Sequence, residues 1–318
     1  MKVVVIGAGA IGGWIAGLLA EAKWDVSLLA RGQTLSNIRE QGLRVRHQGA
    51  EKTYKLLASD NADDLGKPDY VIVAVKGQNV PSLAPAIRSL LGPGTAVVPA
   101  LNGIPWWFFQ VPGVPLQDVV LQSVDPGGVL SKAISPERVI GCVVHASAWT
   151  PEPGVIEVNG EDKLLFGEPD GAQRERTTTL AAAFGSSSVK PVVSANIRLD
   201  IWTKLWGNMT MNPLSVLTGA TTGRMLDNPD VRALIRAMML EMQDIGGKIG
   251  LPLAMTPDER MAITRKLGDF KTSMLRDAEA GRGIETAPIL GALVEIANGV
   301  GEPAPFIRAV AGLLNVRA

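Results

Sequence analysis

Residues 3–17 read VVVIGAGAIGGWIAG. Four consecutive branched apolar residues, Val3 to Ile6, suit a strand buried on both faces, and the run from Ala10 onward suits a helix. Between them Gly7, Gly9 and Gly12 stand in G-x-G-x-x-G spacing. Each glycine has a mechanical role in such a strand–turn–helix unit. Gly7 permits the tight turn, Gly9 lets a pyrophosphate approach the backbone, and Gly12 lets helix pack closely on strand. The helix N-terminus at Ala10, Ile11 and Gly12 offers free N–H groups and the positive end of its dipole to phosphate. The spacing alone is a weak signal, but here it opens the chain in its required context. It points to a dinucleotide-binding α/β domain.

The next strand ends in SLLARGQTLSN, residues 27–37, with Arg31 nineteen residues after Gly12 and no acid between residues 26 and 36. A fold that selects NAD usually places Asp or Glu there for the ribose 2′-hydroxyl. A carboxylate would repel a 2′-phosphate, whereas a guanidinium can pair with it and stack on adenine. The expected cofactor is NADPH. Lys76 closes VIVAVKGQN and Asn102 closes AVVPALNGIP. Ligands of open parallel sheets bind beyond the carboxyl ends of strands, so both are candidates for the ribose or for a substrate's negative charge.

From residue 1 to about 195, Val- and Ile-rich runs alternate with helical ones, as in a Rossmann-type parallel sheet covered on both faces. LRVR and KTYKLLAS suggest a short hairpin, while DVVLQSV, RVIGCVVHASAW, GVIEVNG and KLLFGE are expected to extend the sheet with antiparallel strands. After VSANIRLDIW the strand-like runs stop, and helical periodicity is expected over 197–216, 228–249, 257–268, 285–300 and 303–315. The organisation predicted is a dinucleotide-binding domain over 1–195 and an all-helical domain over 196–318.

The totals narrow the partners. The chain has 318 residues, 46% hydrophobic and 19% charged, with 31 basic and 31 acidic side chains. That balance argues against nucleic acid or an anionic membrane as partner, since both need a concentrated positive face. The single cysteine, Cys142, reads as a small core residue, and two histidines without a Cys/His cluster give no metal site. A strand beginning at the second residue leaves no room for a leader peptide, and no run of about 18 apolar residues follows. The expected location is the cytoplasm.

The second half holds WTKLWGNMTMNPLSVLTGATTG, residues 202–223. Lys204, Asn208 and Asn212 are four residues apart, and each four-residue step drifts only about 40° around a helix. They form one stripe on a helix otherwise built of Leu, Trp, Met, Val and small residues, with no other charge from Ile201 to Leu217. A lysine in such a setting needs a cleft or a bound anion to compensate it. Pro213 is expected to kink or end the helix. Further on, Ser273 and Glu285 flank an acidic, glycine-containing loop, with Glu285 opening the next helix, where a negative charge is also favourable for structural reasons alone.

Taken together, GAGAIGG, LLAR, VKGQN, LNGI, WTKLWGNMTMNPLSVLTG and TSMLRDAEAGRGIE resemble the ketopantoate reductase (2-dehydropantoate 2-reductase) family, in order and from residue 1 to about 310. The resemblance implies NADPH-dependent reduction of the 2-keto group of ketopantoate to pantoate for pantothenate and coenzyme A synthesis. It implies Lys204 as the catalytic lysine, Asn208 and Asn212 as the helix asparagines, and Ser273 and Glu285 as substrate-binding groups. Lys76 and Asn102 match the strand-end positions, and Arg31 the arginine that selects NADPH. Hydride delivery builds negative charge on the ketone oxygen, and a cation in reach can stabilise it and supply the proton. The family's usual Glu–aliphatic–acid run is here Glu285-Thr286-Ala287, and GIPWWFFQVPG suggests an unusually bulky pocket wall. Both bear on which keto acid fits, so a paralogue acting on another 2-keto acid stays open, as does a non-catalytic NADP-binding sensor. Family analogy makes a homodimer a reasonable expectation.

Overall fold

The structure, a computed structural model, describes residues 1–317, except the side chains of residues 160–162. The chain forms two compact units, one of residues 1–101 and 129–197, the other of residues 102–128 and 198–318. The sequence reading draws one boundary near 195; the chain instead crosses between units three times, because residues 102–128 pack with the helices.

The first unit is built on two sheets. In the first sheet β1 (Lys2–Ile6) lies between β2 (Asp25–Leu29) and β6 (Tyr70–Val73), with β5 (Leu57–Ser59) beyond β2 and β7 (Ala96–Pro99) beyond β6. All four pairings are parallel. The fully buried Val3, Val4 and Val5 show why an uninterrupted apolar run reads as a central strand. The helices of this unit are α1 (Ala10–Glu21), α2 (Gly32–Gln41), α3 (Ala84–Leu90), α4 (Val129–Ala133) and α5 (Glu175–Ala182).

The strands expected to extend this sheet form a second one. Its order is β10 (Lys190–Val193), β9 (Val155–Gly167), β3 (Leu43–His47) and β4 (Ala50–Tyr54), with β8 (Gly141–Glu152) antiparallel to β9. GVIEVNG and KLLFGE are halves of the one strand β9, and residues 118–124, expected as a strand, are turns and irregular chain. Helix α1 packs on both sheets: its Trp14, Ile15 and Leu19 share a core with Val3 and Val5 on one side and Ile156 and Phe166 on the other. Gly13 makes the second contact possible, since a Cβ there would lie 2.7 Å from Ile156.

The second unit contains α6 (Ile197–Thr218, of which its residues run from Arg198), α7 (Thr222–Asp227), α8 (Pro229–Lys248), α9 (Pro257–Lys266), α10 (Ser273–Glu279), α11 (Ala292–Gly299) and α12 (Pro305–Arg317). Helix α6 does not stop at Pro213 but continues to Thr218. Hydroxyls along it bond back to helix carbonyls: Thr210 donates to the Gly207 oxygen and Ser215 to that of Asn212. The aromatic run is core rather than pocket wall. Trp106, Trp107, Phe108 and Phe109 are all 2% exposed or less. Phe108 stacks on Trp202 with centroids 6.3 Å apart, and the Arg198 guanidinium lies 4.8 Å from the Phe108 centroid. Burial pushes Arg198 down to about 10, an effect that contact with the ring faces partly offsets. Helices α7 and α10, not expected from periodicity, are short; α10 is started by Thr272, whose hydroxyl accepts from the Leu275 N–H at 3.1 Å.

In the first unit, a methyl group at Gly12 would lie 1.9 Å from the Gly7 carbonyl oxygen. Gly12→Ala is therefore expected to lower stability by about 1–3 kcal/mol through overpacking of α1 on β1. Urea unfolding of the two proteins checks this; equal midpoints would mean the helix has room to shift.

Candidate active site

The first unit carries a phosphate cradle at the end of β1. Gly7 has φ +97°, and a Cβ there would meet Val75 at 2.6 Å and the Ala74 oxygen at 2.7 Å. Only glycine fits this turn beside the end of β6. Gly9, by contrast, faces open space, with nothing within 4 Å of where its Cβ would be. It also stands at the N-cap of α1 with no side chain capping the first turn. The N–H groups at Ala10, Ile11 and Gly12 are thus oriented along a helix start that a phosphate can satisfy, and no methyl group blocks its approach. The residues fit a dinucleotide.

Arg31 follows β2 at the N-cap of α2, with an exposed side chain that takes part in no hydrogen bond or ion pair among the described residues. Lys76 is half-buried and caps a single 3-10 turn after β6. The sheet order puts β1 between β2 and β6, so the chain leaves β1 to opposite sides. Open α/β sheets bind ligands at such a switch point, and Gly7, Arg31 and Lys76 all follow strands that meet there.

The second unit gathers the other candidates. The Lys204 ammonium donates to Asn102 Oδ1 at 2.9 Å, and Asn102 Nδ2 donates to Glu285 Oε2 at 3.4 Å. One carboxamide therefore bridges a cation and a carboxylate that are 81 positions apart in the chain. All three side chains are half-buried. Asn208 and Asn212 continue the Lys204 stripe along α6, the first half-buried and the second buried. Ser273, the first residue of α10, is exposed. The hydroxyls of Ser215 and Thr272 lie 2.6 Å apart and are buried, which fixes the start of α10, and Ser273 with it, against α6.

Four features escaped the sequence reading. Asp200 lies one turn before Lys204, so a carboxylate does stand near the lysine in sequence. The Arg260 guanidinium occupies the space over Gly207, where a Cβ would come within 2.0 Å of it, and burial pushes its pKa down. A π-helical turn, Ala287–Gly291, follows Glu285 directly after Thr286. The Thr286 hydroxyl oxygen is buried and has no hydrogen-bond partner among the described residues. Of these, only Asp200 could have been found by extending the helical stripe one turn back.

Comparison with known proteins agrees with this geometry. The family model "Ketopantoate reductase PanE/ApbA" matches residues 3–171, and "Ketopantoate reductase PanE/ApbA C terminal" matches residues 196–318. The chain is 40% identical over 315 residues to a 2-dehydropantoate 2-reductase of Mesorhizobium japonicum, covering 99% of this chain and 97% of the relative. It superposes with a TM-score of 0.95 on a crystal structure from Ralstonia solanacearum MolK2 described as that of a candidate ketopantoate reductase. Identity there is 46%, over 99% of this chain and 96% of the other. The 2-dehydropantoate 2-reductase of Methylococcus capsulatus matches with a TM-score of 0.85 and 28% identity, over 99% and 96%. With both family halves matched in order, the chain belongs to the ketopantoate reductase family and is an oxidoreductase that uses a nicotinamide dinucleotide.

Proposed function

We propose that the chain is a cytoplasmic, NADPH-dependent 2-dehydropantoate 2-reductase, which reduces ketopantoate to (R)-pantoate in pantothenate biosynthesis. The observation that carries the reading is the bond from the Lys204 ammonium to Asn102, which bridges to Glu285. When bound, the reduced nicotinamide supplies the hydride. Charge then develops on the ketone oxygen, and Lys204 stabilises it by hydrogen bonding and gives up its proton, to be reprotonated from solvent. Asn102 holds the ammonium in place with its carbonyl oxygen. Glu285 accepts from the substrate's hydroxyl, while Asn208, Asn212 and Ser273 orient its carboxylate. Gly7, Gly9, Ala10, Ile11 and Gly12 hold the pyrophosphate. Arg31, exposed and unengaged, pairs with the 2′-phosphate, and Lys76 with Asn102 contacts the ribose side.

A second reading keeps the reaction and changes the acid. The buried, unpartnered Thr286 hydroxyl favours it, since a polar atom left without a partner beside Glu285 suits a substrate with a matching group. The proposed enzyme is also a homodimer. Its support is α12, where Phe306, Leu313 and Val316 are exposed on one face, with Ala309 among them and Arg317 at its edge. Such a row of exposed apolar side chains is a surface that a second copy could cover.

Lys204→Ala is expected to cut kcat at least 100-fold, within the range for loss of a general acid, in an NADPH-oxidation assay. Near-normal turnover would remove the lysine from the mechanism. The same assay, run with NADPH and NADH against ketopantoate and other branched 2-keto acids, should give its highest kcat/KM for NADPH with ketopantoate. Equal use of NADH would refute the role of Arg31, and a better acid than ketopantoate would favour the second reading. Sedimentation equilibrium should return twice the chain mass for the wild type and a single mass for Leu313→Glu; a monomeric wild type would contradict the dimer.

A further inference from the structure

Asn102 links Lys204 to Glu285, yet it sits on an irregular segment rather than on a helix or strand. The next residues show what fixes it. Gly103 has φ +80°, and a Cβ there would lie 2.4 Å from the Pro288 carbonyl oxygen and 2.6 Å from its carbon. The Ile104 N–H donates to the same oxygen at 2.9 Å. Pro288 belongs to the π-helical turn Ala287–Gly291, which starts two residues after Glu285. Such turns are rare, are wider than the α-helix and recur at functional sites. Pro288 stands in the first turn, where its missing N–H costs nothing and its ring fixes the backbone angle beside the carbonyl. The turn that follows Glu285 therefore also presents the carbonyl that grips the loop carrying Asn102.

We propose that the contact of Gly103 and Ile104 with the Pro288 carbonyl is a clamp that holds the Asn102 carboxamide between Lys204 and Glu285. Gly103 and Pro288 are positioning residues, acting through Asn102, and the inference rests on the reading of Lys204 as proton donor. Two facts give the clamp its importance. The obstacle at Gly103 is backbone, not the end of a flexible side chain, so any larger residue must move the loop or the turn. The Asn102 to Glu285 bond is already 3.4 Å, at the long end of the useful range, so displacement outward breaks it.

The pH dependence of kcat separates positioning from mere loosening. Lys204 faces Glu285 through Asn102 and follows Asp200 by one turn on α6, with Arg260 over Gly207 on the same helix. Losing the Asn102 carbonyl disfavours the ammonium, so the alkaline limb, where the donor loses its proton, moves to lower pH. Gly103→Ala is expected to show this shift, with kcat reduced about tenfold to a hundredfold. Pro288→Ala approaches from the other side: it adds no atom at Gly103 and frees the backbone angle that the ring fixes, so the carbonyl can turn away. Its limb should move in the same direction by less, and it keeps the test open should Gly103→Ala fail to fold. Glu295→Gln is the control for loosening. Glu295 holds the far end of the same segment through the N–H groups of Gln122 and Ser123, at 2.7 and 2.6 Å. This variant should lower Tm and leave the limb in place. An unmoved limb in Gly103→Ala and Pro288→Ala, or an equal shift in Glu295→Gln, overturns the clamp. If Lys204→Ala is inactive while the limb stays put, the clamp alone fails; if Lys204→Ala turns over normally, the reading beneath it fails.

Discussion

A single carboxamide organises the second unit's polar chemistry. Asn102 accepts from the Lys204 ammonium at 2.9 Å and donates to Glu285, so one amide group joins a cation and an anion. That is an arrangement a reductase can use: a proton donor held in place before the substrate arrives. It costs little at the moment of reaction because the surrounding packing has already fixed the groups.

That packing explains why residues 102–128 belong with the helices. Trp106 to Phe109 are interior, and Phe108 meets both Trp202 and Arg198 on α6, the helix that bears Lys204. The Arg198 Nε also donates to the Phe108 carbonyl at 2.9 Å. Burying such rings is among the larger apolar contributions available to a small helical unit, of order 1.5–3 kcal/mol for each fully buried phenylalanine. The aromatic run thus tethers the start of the loop to the helix, and the Pro288 carbonyl fixes its orientation. The first unit works by another economy. Its glycines let β1, α1 and the neighbouring backbones approach more closely than any side chain allows, leaving one helix start open to phosphate.

Much of this was legible in the sequence because it is written locally. The Val3–Ile6 strand, the glycine turn and the four-residue spacing of Lys204, Asn208 and Asn212 are all periodicities of a few residues. What stayed hidden depends on distant partners. Alternation identifies β8 and β9 as strands, but nothing local says that they join β3, β4 and β10 in a second sheet. The apolar character of 104–109 signals burial without saying under which unit, which is why it resembled a pocket wall. Pro213 carries a strong local tendency to end a helix, yet the helix runs through it to Thr218 with most of its side chains buried. Asn102 and Glu285 could be suspected separately; their sharing of one amide could not, because the π turn that arranges it has no periodic signature.

The central claim is that Lys204, presented by Asn102, protonates the oxygen that hydride transfer makes negative. A crystal structure of the chain with NADP and pantoate would measure it most directly, as the distance from Lys204 Nζ to the C2 oxygen. The account predicts hydrogen-bond range, about 2.7–3.2 Å, with the Asn102 contact retained. An ammonium turned to solvent, with another group on that oxygen, would contradict it.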